Sequence, residues 1–429
     1  MASPAGRGRV VAWALWDCGS TGLNAVVVTF VFNVYLTGTV GANLQGGTSP
    51  ASWLGRALAV AGVVVALLAP VVGVWMDVPG RRRRTLGFLT AGLVLSTSGM
   101  SLIRDDVSYL WAGLALLALT AAFSDLASVP YNAMLRQLAT PETSGRISGF
   151  GWGAGYVGSM ALLLLVYVGF IAGDGPTTGL LNMPTADGQN VRAAMLMTAA
   201  WMAVFALPVL TVPPPAHDLD TAMPPRTGLL GAYRKLWSDI TAEWRRDRNV
   251  VYYLIASAVF RDGLMGVFTF GGVLAATVYG LSQANVLLFG VTANVVAAAG
   301  AVVGGLLDDR IGSKAVILGS LASMILLGAT LMTLSGATAF WVLGLLLCLF
   351  VGPTNSSART LLLRMTAHGK EGMVFGLYTT TGRAVIFLAP LMFSTFVDVF
   401  GADRAGMGGL LVVLAAGFVA MLLVRAPAR

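Results

Sequence analysis

The sequence predicts an all-α integral membrane protein of twelve transmembrane helices in two pseudo-symmetric six-helix halves. Three observations predict it. Of 429 residues, 56% are hydrophobic and only 11% charged, where soluble domains carry about 25% charged residues. Apolar runs long enough to cross a ~30 Å hydrocarbon core recur twelve times, at 10–37, 52–76, 84–103, 107–134, 147–172, 192–212, 249–278, 283–307, 314–334, 337–363, 373–397 and 405–425. A loop pattern is also duplicated: Gly73-x-x-x-Asp77-x-x-Gly80-Arg81 after span 2 returns as Gly305-x-x-x-Asp309-x-x-Gly312, followed by Ser313 and Lys314, after span 8. Equivalent positions in the two halves imply a repeated unit, an architecture that places a substrate between the halves near the bilayer midplane.

The first run begins after a basic start, MASPAGRGRVV, but is too long for a signal-peptide core, so it reads as an uncleaved first span. Basic residues set the orientation. With the N-terminus inside, 21 of 27 Lys and Arg fall on the cytoplasmic side: Arg7, Arg9, Arg81 to Arg84, Arg136, Arg146, the basic residues of 226–248, Arg310, Lys314, Arg359, Arg364, Lys370, Arg425 and Arg429. Arg56, Arg104, Arg192 and Arg404 fall outside, and Arg261 and Arg383 lie within spans. The bias predicts both termini in the cytoplasm. It also accounts for the net charge of +8 without a nucleic-acid partner. The bilayer and a small-molecule solute are the partners expected of a monomer, and short loops fit a plasma membrane.

The connection at 213–248 separates an N-terminal half, 1–212, from a C-terminal half, 249–429. Its start, PPPAHDLDTAMPPR, is an extended linker, and YRKLWSDITAEWRRDR reads as an amphipathic surface helix with Trp237 and Trp244 at the interface. Cys18 and Cys348 sit in separate spans without CxxC spacing, so neither a disulfide framework nor a metal site is indicated. Gly153-x-Gly155-x-x-Gly158 matches a dinucleotide fingerprint in form only, because no strand precedes it; Gly151 and Gly155 instead make a surface for close helix packing. No cofactor is expected, hydrolase and kinase motifs are missing, and His217 and His368 lie in loops. An enzyme is not indicated.

Charges inside spans are few: Asp17, Asp125, Arg261, Asp262 and Arg383. Each is costly in hydrocarbon, on the order of 2.5 to 3.5 kcal/mol on insertion scales, and is therefore a functional candidate. Helical rise places Asp17 about 10 Å into span 1, Asp262 about 20 Å into span 7 and Arg383 about 15 Å into span 11. Sharing a cavity, these groups can hold a zwitterion, with carboxylates for an ammonium and the Arg383 fork for a carboxylate. Permanent pairing of either acid with an arginine is the structural alternative. Asn24, two turns after Asp17, and Tyr378 are the neutral polar residues placed beside this site; either can equally serve as an interhelical hydrogen bond. Arg261 and Asp262 are about 100° apart on their helix and cannot both face one cavity, so one meets a neighbouring helix. Asp125, late in span 4, reads as a gate charge near the cytoplasmic mouth. A carboxylate in a dry cavity can also carry a proton, which makes protons a candidate coupling ion.

GVWMDVPGRR resembles the loop between spans 2 and 3 of the major facilitator superfamily. Within it, WALWDCGSTGLNAVVVTFVFNVYL, YNAMLRQLATPETSGRISGFGWGAGYVGS, FRDGLMGVFTFGG, DDRIGSK and FGLYTTTGRAVIFLAPLMF are similar to the vacuole-effluxer family, named for a fungal vacuolar amino-acid effluxer. One departure lies in span 1, where Cys18 and Ser20 stand in place of the family's usual Trp and Asn. The resemblance implies amino-acid efflux by alternating access. It also implies that Asp77, Gly80, Arg81, Arg82, Asp309, Arg310 and Lys314 latch the cytoplasmic side in one conformation. Two other readings stay open. A multidrug/proton antiporter is opposed by Gly151-x-x-x-Gly155-Tyr156 where the drug-antiporter motif has proline, and a non-transporting receptor or scaffold is opposed by the duplicated loops.

Overall fold

The computed structural model describes residues 6–44, 50–76, 81–173, 175–211, 247–281 and 283–425, with the single positions 234, 238, 241 and 245. Asp77, Gly80 and nearly all of the 213–248 connection lie outside the described residues. Among the described residues twelve helices are long and apolar enough to span a membrane: Arg7–Val40, Trp53–Met76, Arg81–Leu102, Val107–Leu138, Ser144–Ile171, Ala186–Thr211, Arg248–Gly272, Leu288–Ile311, Ser313–Thr333, Ala337–Met365, Glu371–Phe400 and Ala405–Leu423. They are called spans 1 to 12. An even number puts the start of span 1 and the end of span 12 on one face, here termed the N-terminal face, where Lys314 at the start of span 9 donates to the Leu422 and Val424 carbonyls at the end of span 12.

Prolines inside the unbroken helices of four spans, Pro70, Pro130, Pro208 and Pro353, are tolerated because neighbouring helices and side chains re-satisfy the backbone groups they release. Span 1 widens into π-helical turns at Ala25–Phe30 and Leu36–Val40. On the face opposite the termini, spans 3 and 4 are joined through Asp106, whose carboxylate caps the next turn. Hydrogen bonds from Ser108, side chain and backbone, hold that carboxyl below the usual carboxylate range. Spans 5 and 6 are joined through a two-residue antiparallel pairing of Thr177–Thr178 with Met183–Pro184.

The helix contacts repeat. In the N-terminal half span 1 packs on spans 5 and 6, span 4 on spans 2 and 3, and span 3 on span 6; in the C-terminal half span 7 packs on spans 11 and 12, span 10 on spans 8 and 9, and span 9 on span 12. The halves meet where span 2 crosses span 11 and span 5 crosses span 8, with further contacts of span 5 on span 10 and span 4 on span 11. Glycines set both main crossings. A Cβ at Gly305 would stand 2.5 Å from the Gly145 carbonyl oxygen, and one at Gly376 2.5 Å from the Ala69 carbonyl oxygen. Backbones touch there because no side chain intervenes.

Span 11 departs from the single continuous helix expected. It runs as Glu371–Ala384, turns at 385–387 and resumes as Leu388–Phe400. Pro390 supplies the reason: it has no N–H to give the Ile386 carbonyl, and its ring clashes with a continuing helix there, whereas the first turn of a new helix accepts it. The first segment packs on span 2, and the second leans on spans 12 and 7 of its own half. The closed contacts between the halves therefore gather between the N-terminal face and mid-depth.

Candidate solute-binding site

On span 1, Trp13 and Trp16 clasp the ring of Tyr131 from span 4, with centroids 4.6 and 4.5 Å away. Trp13 Nε1 donates to the Tyr131 carbonyl at 3.0 Å and Trp16 Nε1 to Thr90 Oγ1 at 3.0 Å. This rigid aromatic support holds Asp17, whose carboxylate accepts from Thr21 at 3.4 Å. The Tyr131 hydroxyl, fully buried, makes no hydrogen bond of normal geometry, although it lies within electrostatic reach of both Asp17 and Arg359.

Arg359, from span 10 of the other half, is 3% exposed. It donates to Ser148 Oγ at 3.0 Å, to the Ser148 carbonyl at 2.7 Å and to Asn132 Oδ1 at 3.2 Å, and its guanidinium lies over the rings of Trp13, Tyr131 and Trp152. Arg359, which the charge count assigns to the cytoplasmic side, is instead a buried membrane-depth residue bridging the halves, and Asp17 acts on it through space with no ion pair between them among the described residues.

A second charged group joins the halves deeper in. Asp125 of span 4 pairs with Arg383 of span 11, and Arg261 of span 7 acts on the same carboxylate through space. Arg261 lies 3.5 Å over the Tyr378 ring and donates to the Tyr378 carbonyl at 3.1 Å. Three expectations change. Asp125 stands about 20 Å from the Leu138 end of span 4, too deep for a charge at the mouth. Arg383 is committed to Asp125 rather than sharing a site with Asp17. Asp262, expected beside them, turns away: buried, it accepts the Ala389 N–H at 2.6 Å and caps the second segment of span 11, taking one of the orphan donors that every helix start exposes. Of the adjacent pair it is Arg261, through its action on Asp125, that reaches toward the other half.

Nearer the N-terminal face lie the closures. Glu371, 1% exposed, receives Arg82 at 2.8 Å and Arg136 at 3.1 Å. Arg136 also donates to the Leu363 and Thr366 carbonyls at 2.8 and 2.5 Å. At the other crossing Asp309 accepts the backbone N–H groups of Gly145 and Arg146 at 2.8 and 3.1 Å, at the N-terminus of span 5, where the helix dipole favours a carboxylate. Arg364 joins Asp308 at 2.5 Å and the Pro141 carbonyl of the opposite half at 2.9 Å.

Asp309 and Arg82 thus stand where a latch between the halves needs them. Lys314 does not: it ties spans 9 and 12 of one half. Arg310 is exposed and takes part in no ion pair among the described residues. Asn24 bonds the Ser20 carbonyl at 3.0 Å and Ser124 Oγ at 2.7 Å, gluing spans 1 and 4 rather than facing a solute. Gly151 packs against Trp13 and Gly155 against Thr21 of span 1. Missed in the sequence were Glu371, Asp308 and the buried role of Arg359. A signal for the last exists: PYNAMLR in span 4 and PTNSSAR in span 10 share P-x-N-x-x-x-R, ending on Arg136 and Arg359.

The sequence profile of the family described as vacuole effluxer Atg22 like matches residues 48–428. The chain belongs to that family. As an Atg22-like effluxer it is a secondary transporter of the major facilitator type, and family and fold are those of a transporter. An uncharacterized MFS-type transporter, YxiO of Bacillus subtilis (strain 168), is 20% identical over 410 residues, covering 95% of this chain and 92% of that one. Autophagy-related protein 22 of Yarrowia lipolytica is 24% identical over 300 residues, 64% of this chain. That match takes in 49% of the longer fungal protein. Among solved structures, the proton:xylose symporter XylE superposes with a TM-score of 0.73 at 14% identity, covering 98% of this chain and 96% of its own. FucP in its outward conformation superposes with 0.71 at 14% identity, covering 98% and 100%. At such identity these structures bear on the fold, which they share with the Atg22-like effluxer.

Proposed function

We propose that this effluxer exports an amino acid across the plasma membrane by alternating access, with the N-terminal face in the cytoplasm. One observation carries the reading: across the mid-depth interface the acids, Asp17 and Asp125, come from the N-terminal half, and the arginines, Arg261, Arg359 and Arg383, from the C-terminal half. A zwitterion laid across that divide finds its ammonium partner on one side and its carboxylate partner on the other. Orientation rests on the excess of basic residues at the loops of the N-terminal face. The contacts described above are then those of a state closed to the cytoplasm, and the crossing glycines with the Glu371 and Asp309 contacts are what must part for a solute to enter from inside. Asp17, held by the Trp13–Tyr131–Trp16 stack, is the group that takes the ammonium or, in its place, a proton. That competition makes efflux sensitive to a pH gradient. Charges at this depth disfavour an apolar drug as cargo.

Flux from proteoliposomes loaded separately with amino acids, sugars and cationic dyes, each with and without an imposed pH gradient, tests this. Amino-acid movement that responds to the gradient and disappears in Asp17→Asn is the expected result. Dye movement alone sinks the amino-acid reading.

A further inference from the structure

Among the described arginines at the mid-depth interface, Arg261, Arg359 and Arg383, Arg261 is the least committed. Arg359 donates three hydrogen bonds to the opposite half, Arg383 is paired with Asp125, and Arg82, Arg136 and Arg364 all end on buried carboxylates. Arg261 donates one hydrogen bond, from Nη2 to the Tyr378 carbonyl. Its Nε and Nη1 have no acceptor among the described residues. It forms no ion pair there either, since its neighbour Asp262 is spent on the Ala389 N–H and Asp125 is held by Arg383.

Yet the group is carefully placed. The guanidinium is stacked on Tyr378 at 3.5 Å, a contact that fixes its plane. Gly382 leaves it room, because the Arg261 guanidinium lies against the position a Cβ would take there. It sits where span 11 is about to break, on the C-terminal side of the interface and facing Asp125 of the other half. The Tyr378 carbonyl takes one of the two Nη2 hydrogens, and the other still completes a two-donor edge with Nε or with Nη1; a half-buried cation with such an edge open is an acceptor's site. The species that fits such an edge with two parallel hydrogen bonds is a carboxylate.

The structure assigns, we infer, a carboxylate subsite to Arg261: this residue, oriented by Tyr378 and Gly382, anchors the solute's carboxylate, while Arg383 serves as the counter-charge of Asp125. The inference rests on the proposed function for the ammonium half of the solute but not for the carboxylate half. Loss of one good fork interaction corresponds to roughly a tenfold to hundredfold loss of affinity.

The test is equilibrium binding to the full chain in nanodiscs, using three probes: the common amino acids, their decarboxylated amines, and simple monocarboxylates. Wild type is compared with Arg261→Met, Arg261→Lys and Arg383→Lys. Expected is about a hundredfold loss of amino-acid affinity in Arg261→Met and about tenfold in Arg261→Lys, which keeps the charge without the fork. Amine binding stays unchanged in both, which also reports that they fold, and Arg383→Lys, which disturbs the pairing with Asp125, lowers amino-acid affinity by less than Arg261→Met does. Should monocarboxylates bind wild type in an Arg261-dependent way while amino acids do not, the subsite stands and the amino-acid reading falls. Amino-acid binding that survives Arg261→Met but is lost in Arg383→Lys overturns the subsite and leaves the amino-acid reading intact. Binding of no carboxylate-bearing probe overturns both.

Discussion

Arg136 and Arg359 hold the same place in the two copies of P-x-N-x-x-x-R, and both reach into the opposite half. They end differently. Arg136, toward the N-terminal face, meets a buried carboxylate, Glu371, which also receives Arg82. Arg359, deeper in, meets neutral acceptors on Ser148 and Asn132 and three aromatic rings, with Asp17 acting on it only through space. Duplication gave each half an arm of the same reach, and only the shallow arm closes on its own counter-ion. Under the proposed export cycle the shallow contact is a lock that must be undone each time, and the deep one leaves its carboxylate available to a passing solute.

That contrast can be broken from either end. The largest effect is expected from Glu371→Ala, which leaves two arginines without their acid; breaking a buried ion pair costs about 3 to 5 kcal/mol, close to the roughly 5.5 kcal/mol that swings a two-state equilibrium from 1:99 to 99:1. Spin labels at the exposed Glu142 and His368 should move apart, and an unchanged distance distribution would mean that Glu371 does not hold this face shut. Next comes Gly305→Leu, whose Cβ meets the Gly145 carbonyl oxygen. Flux should fall at least about tenfold with the same label pair lengthened, while normal closure would show that the helices can slide to make room. Arg359→Lys keeps the charge but loses the three-bond fork, on the order of 1.5 to 3 kcal/mol. Because its partners are neutral, it should slow transport without opening the label pair as Glu371→Ala does; equal opening would erase the distinction drawn between the two arms. The smallest effect is expected from Arg146→Ala. Its side chain is 56% exposed and 3.7 Å from Asp309, a contact worth about 0.5 kcal/mol or less, so transport rate and melting temperature should match wild type.

The architecture was legible in the sequence because a bilayer imposes segment length and apolarity on every span, and the Gly73 and Gly305 repeats carried the duplication. Site detail was legible only where a residue's type settles its partner. That an aspartate at Asp17's depth must be used follows from composition. Which arginine faces it does not, since the charge count assigns Arg359 to the cytoplasmic side and Arg383 to a span, and only the packing of spans 4, 5, 10 and 11 brings Arg359 near Asp17 and ties Arg383 to Asp125. Asp262 illustrates the same limit. Its environment is set by Pro390, more than a hundred residues on, through the helix start that the proline forces. Arg359 was placed outside the membrane because positive charge near a span end ordinarily marks cytoplasm; its burial depends on Ser148 and Asn132 from the other half.

The crossings of spans 2 with 11 and 5 with 8 are paved by glycine, and this bears on the temperature dependence of the cycle. Glycine has no rotamers to lose, so pressing Gly73, Gly305, Gly372 and their neighbours together orders almost no side chains. The entropy lost on closing falls instead on Arg82, Arg136, Arg359 and Arg364, each of which carries about 2 kcal/mol of rotamer freedom. Through that contribution warming favours the parted arrangement of the N-terminal face, and it acts on these side chains rather than on the helices that carry them.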